Sequence, residues 1–211
     1  MPRLLPLFPL NLVVFPGEKL NLHIFEPRYR ELVHDCLQEN LTFGITPYLD
    51  SRVQELGTEM RLLDVEKVYP NGEMDIRTEA LGLFRVRDFY RQAPGKLYAA
   101  GKVEDLVDDP APDEFLKTRI TVYIKQLYQA LGLHRLFMDL PAGYRTYDVG
   151  HHVGFSTEQE YQLLSSTSEH ERQEILLEHL EQIVPVVLET ERLKERVKLN
   201  GHFKNLTAPN F

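Results

Sequence analysis

The sequence predicts an α+β protein: a mostly antiparallel, barrel-like β domain carrying one helix, followed by a small helical bundle. Three observations predict it. Up to about residue 107, short apolar runs are punctuated by turn residues. Between two of those runs stands Asn71-Gly72, a pair that accepts the positive φ a hairpin turn requires. Beyond residue 113 the apolar period lengthens to that of a helix. The change falls at Val107-Asp108-Asp109-Pro110-Ala111-Pro112-Asp113, a short acidic linker broken twice by proline, which sets the domains at 1–109 and 110–211.

The elements follow in order. Leu20 to Phe25 opens with apolar–polar alternation, the mark of a half-buried strand. Tyr29, Leu32, Val33, Cys36 and Leu37 then recur at i, i+3, i+4, i+7 and i+8, one face of a helix, with Pro27 where a first turn tolerates it. Met60–Tyr69 and Met74–Thr78 flank the turn Pro70-Asn71-Gly72-Glu73, and Ala80–Val86 and Leu97–Leu106 read as further strands. In the second half Leu116, Ile120, Tyr123, Ile124, Leu127 and Leu131 form one helical stripe that Gly132 closes. A shorter helix is expected over Thr146–Val153. Ser156 with Gln159, and Ser168 with Glu171, each fit a capping box. The last helix is long, with Leu176, Leu180, Ile183, Val187 and Leu188 inward, a kink expected at Pro185 and an end at Asn200-Gly201.

Charge narrows the partners. There are 24 basic and 32 acidic residues, a net charge of -8, which disfavours nucleic acid unless a local basic patch overrides the sum. Cys36 is the single cysteine, so neither an internal disulfide nor a thiolate zinc knuckle is available. Arg3 followed by the apolar stretch Leu4–Phe15 imitates a secretory signal, but Pro6, Pro9 and Pro16 break any helix there and no small-x-small site follows. The stretch is also shorter than the ~20 residues a membrane span needs. The expectation is a cytoplasmic chain with no membrane partner.

The near misses for catalytic chemistry are instructive. Gly95 to Val103 resembles a P-loop, but it has one spacer too many, and Val103 stands where a magnesium-binding hydroxyl is needed. His151 and His152 are adjacent and point apart on a helix, and His170 lacks a second histidine four residues on. No metal or cofactor is expected. Cys36 lies inside an apolar stripe and reads as a small buried hydrophobe rather than a nucleophile. Glu158, Glu160, Glu169, Glu171, Glu174, Glu178 and Glu181 accompany only Arg172, a solvated acidic surface or, alternatively, a dock for a basic partner. Arg77, Arg85, Arg87 and Arg91 make the β domain locally basic, with Arg85 and Arg87 on one face by strand alternation. They are the candidate anion or RNA patch.

Leu5-Pro6-Leu7-Phe8-Pro9-Leu10, Val14-Phe15-Pro16-Gly17 and Leu22-His23-Ile24-Phe25-Glu26-Pro27-Arg28-Tyr29, in this order and spacing, resemble the opening of the Lon protease amino-terminal domain. Phe43-Gly44-Ile45, Leu56-Gly57-Thr58-Glu59 and Leu81-Gly82-Leu83-Phe84-Arg85-Val86 resemble that family's later strands. The resemblance is dense over residues 3–106 and looser beyond. It implies a PUA-like β domain with a helical bundle, and a bacterial, proteolysis-associated protein that binds unfolded or specific polypeptides beside a protease or chaperone. It does not imply proteolysis: no ATPase module and no Ser–Lys catalytic domain is expected in a stand-alone chain of this kind. The contact surface is expected in the cleft between β domain and bundle, with an RNA-binding PUA-like module as the alternative.

The motif residues themselves read mainly as fold residues. Pro6, Pro9 and Pro16 lock φ, Gly17 permits a turn, and Phe8, Phe15, Phe25 and Tyr29 are expected mostly in the core; His23 and Arg28 complete the motif. Glu26 precedes Pro27 at a helix start, where a negative charge meets the positive end of the dipole.

Overall fold

The computed structural model describes residues 2–203 and is α+β, with a mostly antiparallel sheet and several helices. Two compact units form. The first holds the chain up to Asp109 together with Ser156–Thr167; the second holds Pro110–Phe155 and the chain from Ser168. The boundary expected at 109/110 is thus joined by two further crossings, at 155/156 and 167/168, which assign one helix of the later half to the first unit.

The first unit contains β1 (Arg3–Leu10), β2 (Lys19–Ile24), α1 (Pro27–Glu39), β3 (Phe43–Leu49), β4 (Arg52–Val53), β5 (Leu56–Val68), β6 (Met74–Tyr90) and β7 (Ala99–Asp105). The strand path is β1-β7-β6-β5-β3-β4. β1 lies antiparallel to β7 on one edge and parallel to β3 on the other, which closes the path into a barrel. β2 lines the first part of β6, from Met74 to Glu79, and β7 lines its last part. Two strands predicted over Met74–Val86 are one continuous strand, because the ladder to β5 runs on through Ala80 and Leu83. Gly72, at φ 82°, makes the predicted hairpin turn between β5 and β6.

Phe8, Ile24, Tyr29, Leu32, Cys36, Phe43, Met60 and Ile76 meet in the main core, each burial worth roughly 1.5–3 kcal/mol for a large apolar side chain. Two motif glycines have a packing reason. A Cβ on Gly57 would come within 2.7 Å of Phe84 Cζ, and one on Gly44 would overlap the same ring. The fully buried Phe84 therefore fills space that glycines on β3 and β5 leave open. Pairing on both flanks does the rest.

Corrections to the predicted helix and core faces are few. Leu37 is exposed, one residue off the buried stripe of α1, and Asn40 ends that helix in the left-handed region at φ 53°. Phe25 is 58% exposed, since alternation along β2 turns Ile24 inward and Phe25 outward, beside His23. Phe8 and Phe15 are core, as is Tyr29, whose ring stacks on Phe8 at 3.6 Å between centroids.

The first unit also takes in α5 (Thr157–Ser165), whose start shows the predicted capping box: Gln159 N donates to Ser156 Oγ, and Ser156 N donates to Gln159 Oε1. Tyr161 Oη accepts from Leu56 N at 3.2 Å, and Leu163 and Leu164 are buried.

The second unit comprises α2 (Glu114–Ala130), α3 (His134–Met138), α4 (Thr146–Val149) with a 3₁₀ turn over Gly150–His152, and α6 (Glu169–Phe203). Asp113, the last linker residue, caps α2 by accepting from Phe115 N and Leu116 N. Ile120, Ile124, Leu127 and Tyr128 pack against Leu176, Leu177, Leu180 and Val184. Leu131 is exposed because it is the C-cap of α2 rather than part of its last turn. Pro185 lies inside α6, and the helix continues through Asn200-Gly201, where an end was expected, to Phe203.

The acidic surface predicted for the later half is partly interior. Glu169 and Arg172 are 1% and 0% exposed and paired at 3.1 Å. Thr146 donates to Glu169 Oε1 through both its N–H and its hydroxyl, and the Arg172 guanidinium lies 4.3 Å from the Tyr147 ring centroid. A buried ion pair held in this way satisfies its own lone pairs and protons. Glu181 binds Arg119, and Glu174 lies 3.6 Å from His170.

Candidate functional site

A groove of about 980 Å³ opens on the first unit, and every residue lining it belongs to that unit. Four pieces of chain build it. Pro9, Leu10 and Asn11 come from the end of β1, and Arg28 and Tyr29 from the first turn of α1. Tyr48, Arg52, Val53 and Glu55 come from the β3–β4 hairpin and the step into β5, while Val86, Arg87 and Phe89 come from β6, Arg91 from the residue just after it and Ala99 from the start of β7.

The hairpin is rigid for local reasons. Asp50 and Ser51 both take left-handed backbone, at φ 50° and 60°, which suits a tight two-residue turn. Gln54 then ties the hairpin down: its N–H donates to Pro47 O at 2.9 Å, and its side-chain amide donates to Leu49 O at 3.1 Å. Tyr48 and Arg52 are thereby held outward on a fixed frame.

The opposite wall depends on a register shift. The β6–β7 ladder pairs Val86 with Val103 and Asp88 with Lys102, leaving Arg87 as a bulge. Bulges re-aim side chains. From here Arg87, Phe89 and Arg91 alternate onto one wall of the groove, and Arg85 does not line it. The four sequence-predicted arginines are therefore not brought together. Arg87 and Arg91 line the groove; Arg77 is held elsewhere, 3.2 Å from Glu66 and 3.6 Å from Asp64; and Arg85 is half-buried, with its Nε unbonded. Arg28, Arg52, Tyr48 and Phe89 were not singled out as ligand contacts. The Arg87-x-Phe89-x-Arg91 alternation is a sequence signal for one of them, Phe89.

Two of the groove cations are already paired. Glu104 lies 2.6 Å from Arg87, and Glu26 lies 2.8 Å from Arg28. Glu26 is the N-cap residue of α1; its side chain makes no capping hydrogen bond, and its carboxylate accepts from Arg28. Among the described residues, Arg52 and Arg91 make no ion pair. Glu55 is the one acid on the lining.

The chain after Arg91 is fastened to α1. Lys96 Nζ lies 2.6 Å from Asp35, Tyr98 Oη donates to the same carboxylate at 2.6 Å, and Leu97 N donates to Glu31. Burial alone would raise the Asp35 carboxyl, but the Lys96 and Tyr98 hydrogen bonds outweigh it and hold Asp35 below the usual range. Cys36 beside it is buried, and burial pushes its thiol up to about 12, which suits packing rather than nucleophilic chemistry.

On the far end of the barrel His23 bridges Asp75 at 2.7 Å and Glu73 at 3.2 Å, and Tyr69 Oη donates to Asp75. No serine, threonine or cysteine completes a nucleophilic arrangement in these contacts. Among the described residues, no group of three or more His, Cys, Asp or Glu is placed to hold a metal ion. None of their helices is long and apolar enough to cross a membrane.

A family model for the ATP-dependent protease La (LON) substrate-binding domain matches residues 4–182. The chain belongs to this family. Membership gives the Lon substrate-binding domain fold described above a role in substrate recognition. The crystal structure of a Lon N-terminal domain protein from Xanthomonas campestris is similar at TM-score 0.65 and 28% identity, over 83% of this chain and 97% of that one. The N-terminal domain of the Mycobacterium avium complex Lon protease is similar at TM-score 0.66 over 85% of this chain and 99% of that one; at 16% identity the likeness is one of fold. No curated protein matches the chain.

Proposed function

We propose that this Lon-type domain is a non-catalytic polypeptide-binding protein of cytoplasmic protein quality control, holding segments of unfolded or specific polypeptides in the groove of its first unit. One observation carries the reading. β5 begins at Leu56, opposite Arg85, and Val86 N donates to Glu55 O, whereas β6 runs on to Tyr90. From Arg87 to Tyr90, β6 has β7 on one edge and no ladder partner on the other among the described residues. An open strand edge offers main-chain N–H and C=O groups to an extended peptide. Pro9, Leu10, Tyr48 and Phe89 add apolar surface beside it.

An RNA-binding role draws support from the same arginines and rings, which resemble a stacking platform. Against it stand the net charge of -8 and the pairing of Arg28 and Arg87 by internal carboxylates. The purified chain titrated with a labelled unfolded polypeptide and with single-stranded RNA, at low and physiological salt, separates the two. Polypeptide binding that survives physiological salt, with RNA binding weak and lost, is expected. Tight RNA binding without polypeptide binding would reverse the assignment. Neither ATP nor unfolded protein should be turned over by the same preparation.

A further inference from the structure

We infer that the groove prefers polypeptide segments that carry carboxylates next to an apolar side chain, and that Arg52 and Arg91 set this preference; the inference rests on the polypeptide reading above. Charge complementarity is the ground for it. A chain of net charge -8 gathers four arginines and a single acid, Glu55, on one groove. The two arginines already engaged are engaged by carboxylates, Glu26 on Arg28 and Glu104 on Arg87. Arg52 and Arg91 stand on opposite sides, one on the β3–β4 hairpin and one beyond β6, both exposed and without an ion pair among the described residues.

A guanidinium offers a planar fork of N–H donors that matches a carboxylate and has no such match in a neutral amide. Next to the partly exposed rings of Tyr48 (45%) and Phe89 (38%), a bound segment excludes water from that contact and so strengthens it. The rings in turn take the apolar side chain beside the acid. The chain beside each arginine is fastened: the hairpin of Arg52 by the Gln54 hydrogen bonds, and the segment beyond Arg91 by the Lys96 and Tyr98 contacts with Asp35. Two free cations are few for RNA. Each phosphate neutralised on a single strand contributes a salt slope of only about 0.7, so two give weak attachment that physiological salt removes. A peptide has the β6 edge as well.

The test uses three labelled unfolded peptides of one length and one apolar pattern: acidic, with every Asp and Glu replaced by its amide, and with those positions as lysine. Anisotropy titration against the full chain should rank acidic over amide over lysine, with the acidic peptide roughly tenfold tighter than the amide at low salt, the scale of one charge-assisted hydrogen bond. The double substitution Arg52→Gln, Arg91→Gln should bring the acidic and amide peptides to within about twofold of each other, while the thermal midpoint stays unchanged because both side chains are exposed. Equal affinity for acidic and amide peptides in the unsubstituted chain overturns the preference and leaves the polypeptide reading intact. Failure to bind any of the three overturns both.

Discussion

Glu104 lies 2.6 Å from the Arg87 guanidinium across the β6–β7 ladder, so one of the four groove cations is neutralised from within the sheet. Glu26 does the same for Arg28. These pairs make the groove less basic than its arginine count suggests, and they are levers. Glu104→Gln releases Arg87 while keeping the shape of the side chain. Affinity for an acidic peptide should rise about two- to fivefold, the range an exposed ion pair is worth, and should stay flat for its amide counterpart. Calorimetric titration of both peptides checks this, and an unchanged acidic affinity would remove Arg87 from the contact surface.

Gly44 and Phe84 share one space. A methyl on Gly44 meets the Phe84 ring and lies 2.9 Å from Leu5 Cδ2, both fully buried in the barrel. Gly44→Ala should therefore destabilise the chain by about 1–3 kcal/mol, as overpacking does. The same substitution in a Phe84→Leu background should be milder, because the ring it meets is gone. Urea melts of the four variants measure the coupling, and equal penalties in both backgrounds would show that the glycine serves something other than Phe84.

His23 titrates against two acids. The hydrogen bond to Asp75 is the main cause that raises its pKa, with Glu73 adding to it, and the same bond lowers Asp75. A raised histidine contributes stability that is complete below its unfolded value of about 6.5 and is lost as pH climbs through the raised folded value. A lowered carboxylate contributes stability present above about 3.9 and lost as pH falls through its folded value. The cluster thus supports the chain most between roughly pH 4 and 6.5. NMR titration should place the His23 midpoint above that of a free histidine, and Asp75→Asn should bring it down. A midpoint that ignores Asp75→Asn would mean the contact does not form in solution.

How far the sequence could be read follows from where its local signals act alone. The α1 stripe, the Asn71-Gly72 turn, the Ser156 box and the helical period after residue 113 are each decided within a few residues, and each appears where local physics puts it. What misled was tertiary. Glu169 and Arg172 look like surface charges, yet at i, i+3 on the start of α6 they close on each other beneath Thr146 and Tyr147, residues more than twenty positions away. Arg85 and Arg87 would share a face on a regular strand, and one bulge separates them. Arg52 joins Arg91 only because the barrel brings the β3–β4 hairpin beside the end of β6, a contact no local pattern encodes. The five-residue α3 is too short to show a period.

The claim that a polypeptide lies along the open edge of β6 is tested most directly by amide hydrogen exchange with and without a saturating unfolded peptide. Strand addition should slow exchange at outward-facing amides between Arg87 and Arg91, with smaller protection over Tyr48–Glu55, and leave the His23 end of the barrel unchanged. Protection that falls elsewhere, with the Arg87–Arg91 amides exchanging as in the free chain, would contradict the account.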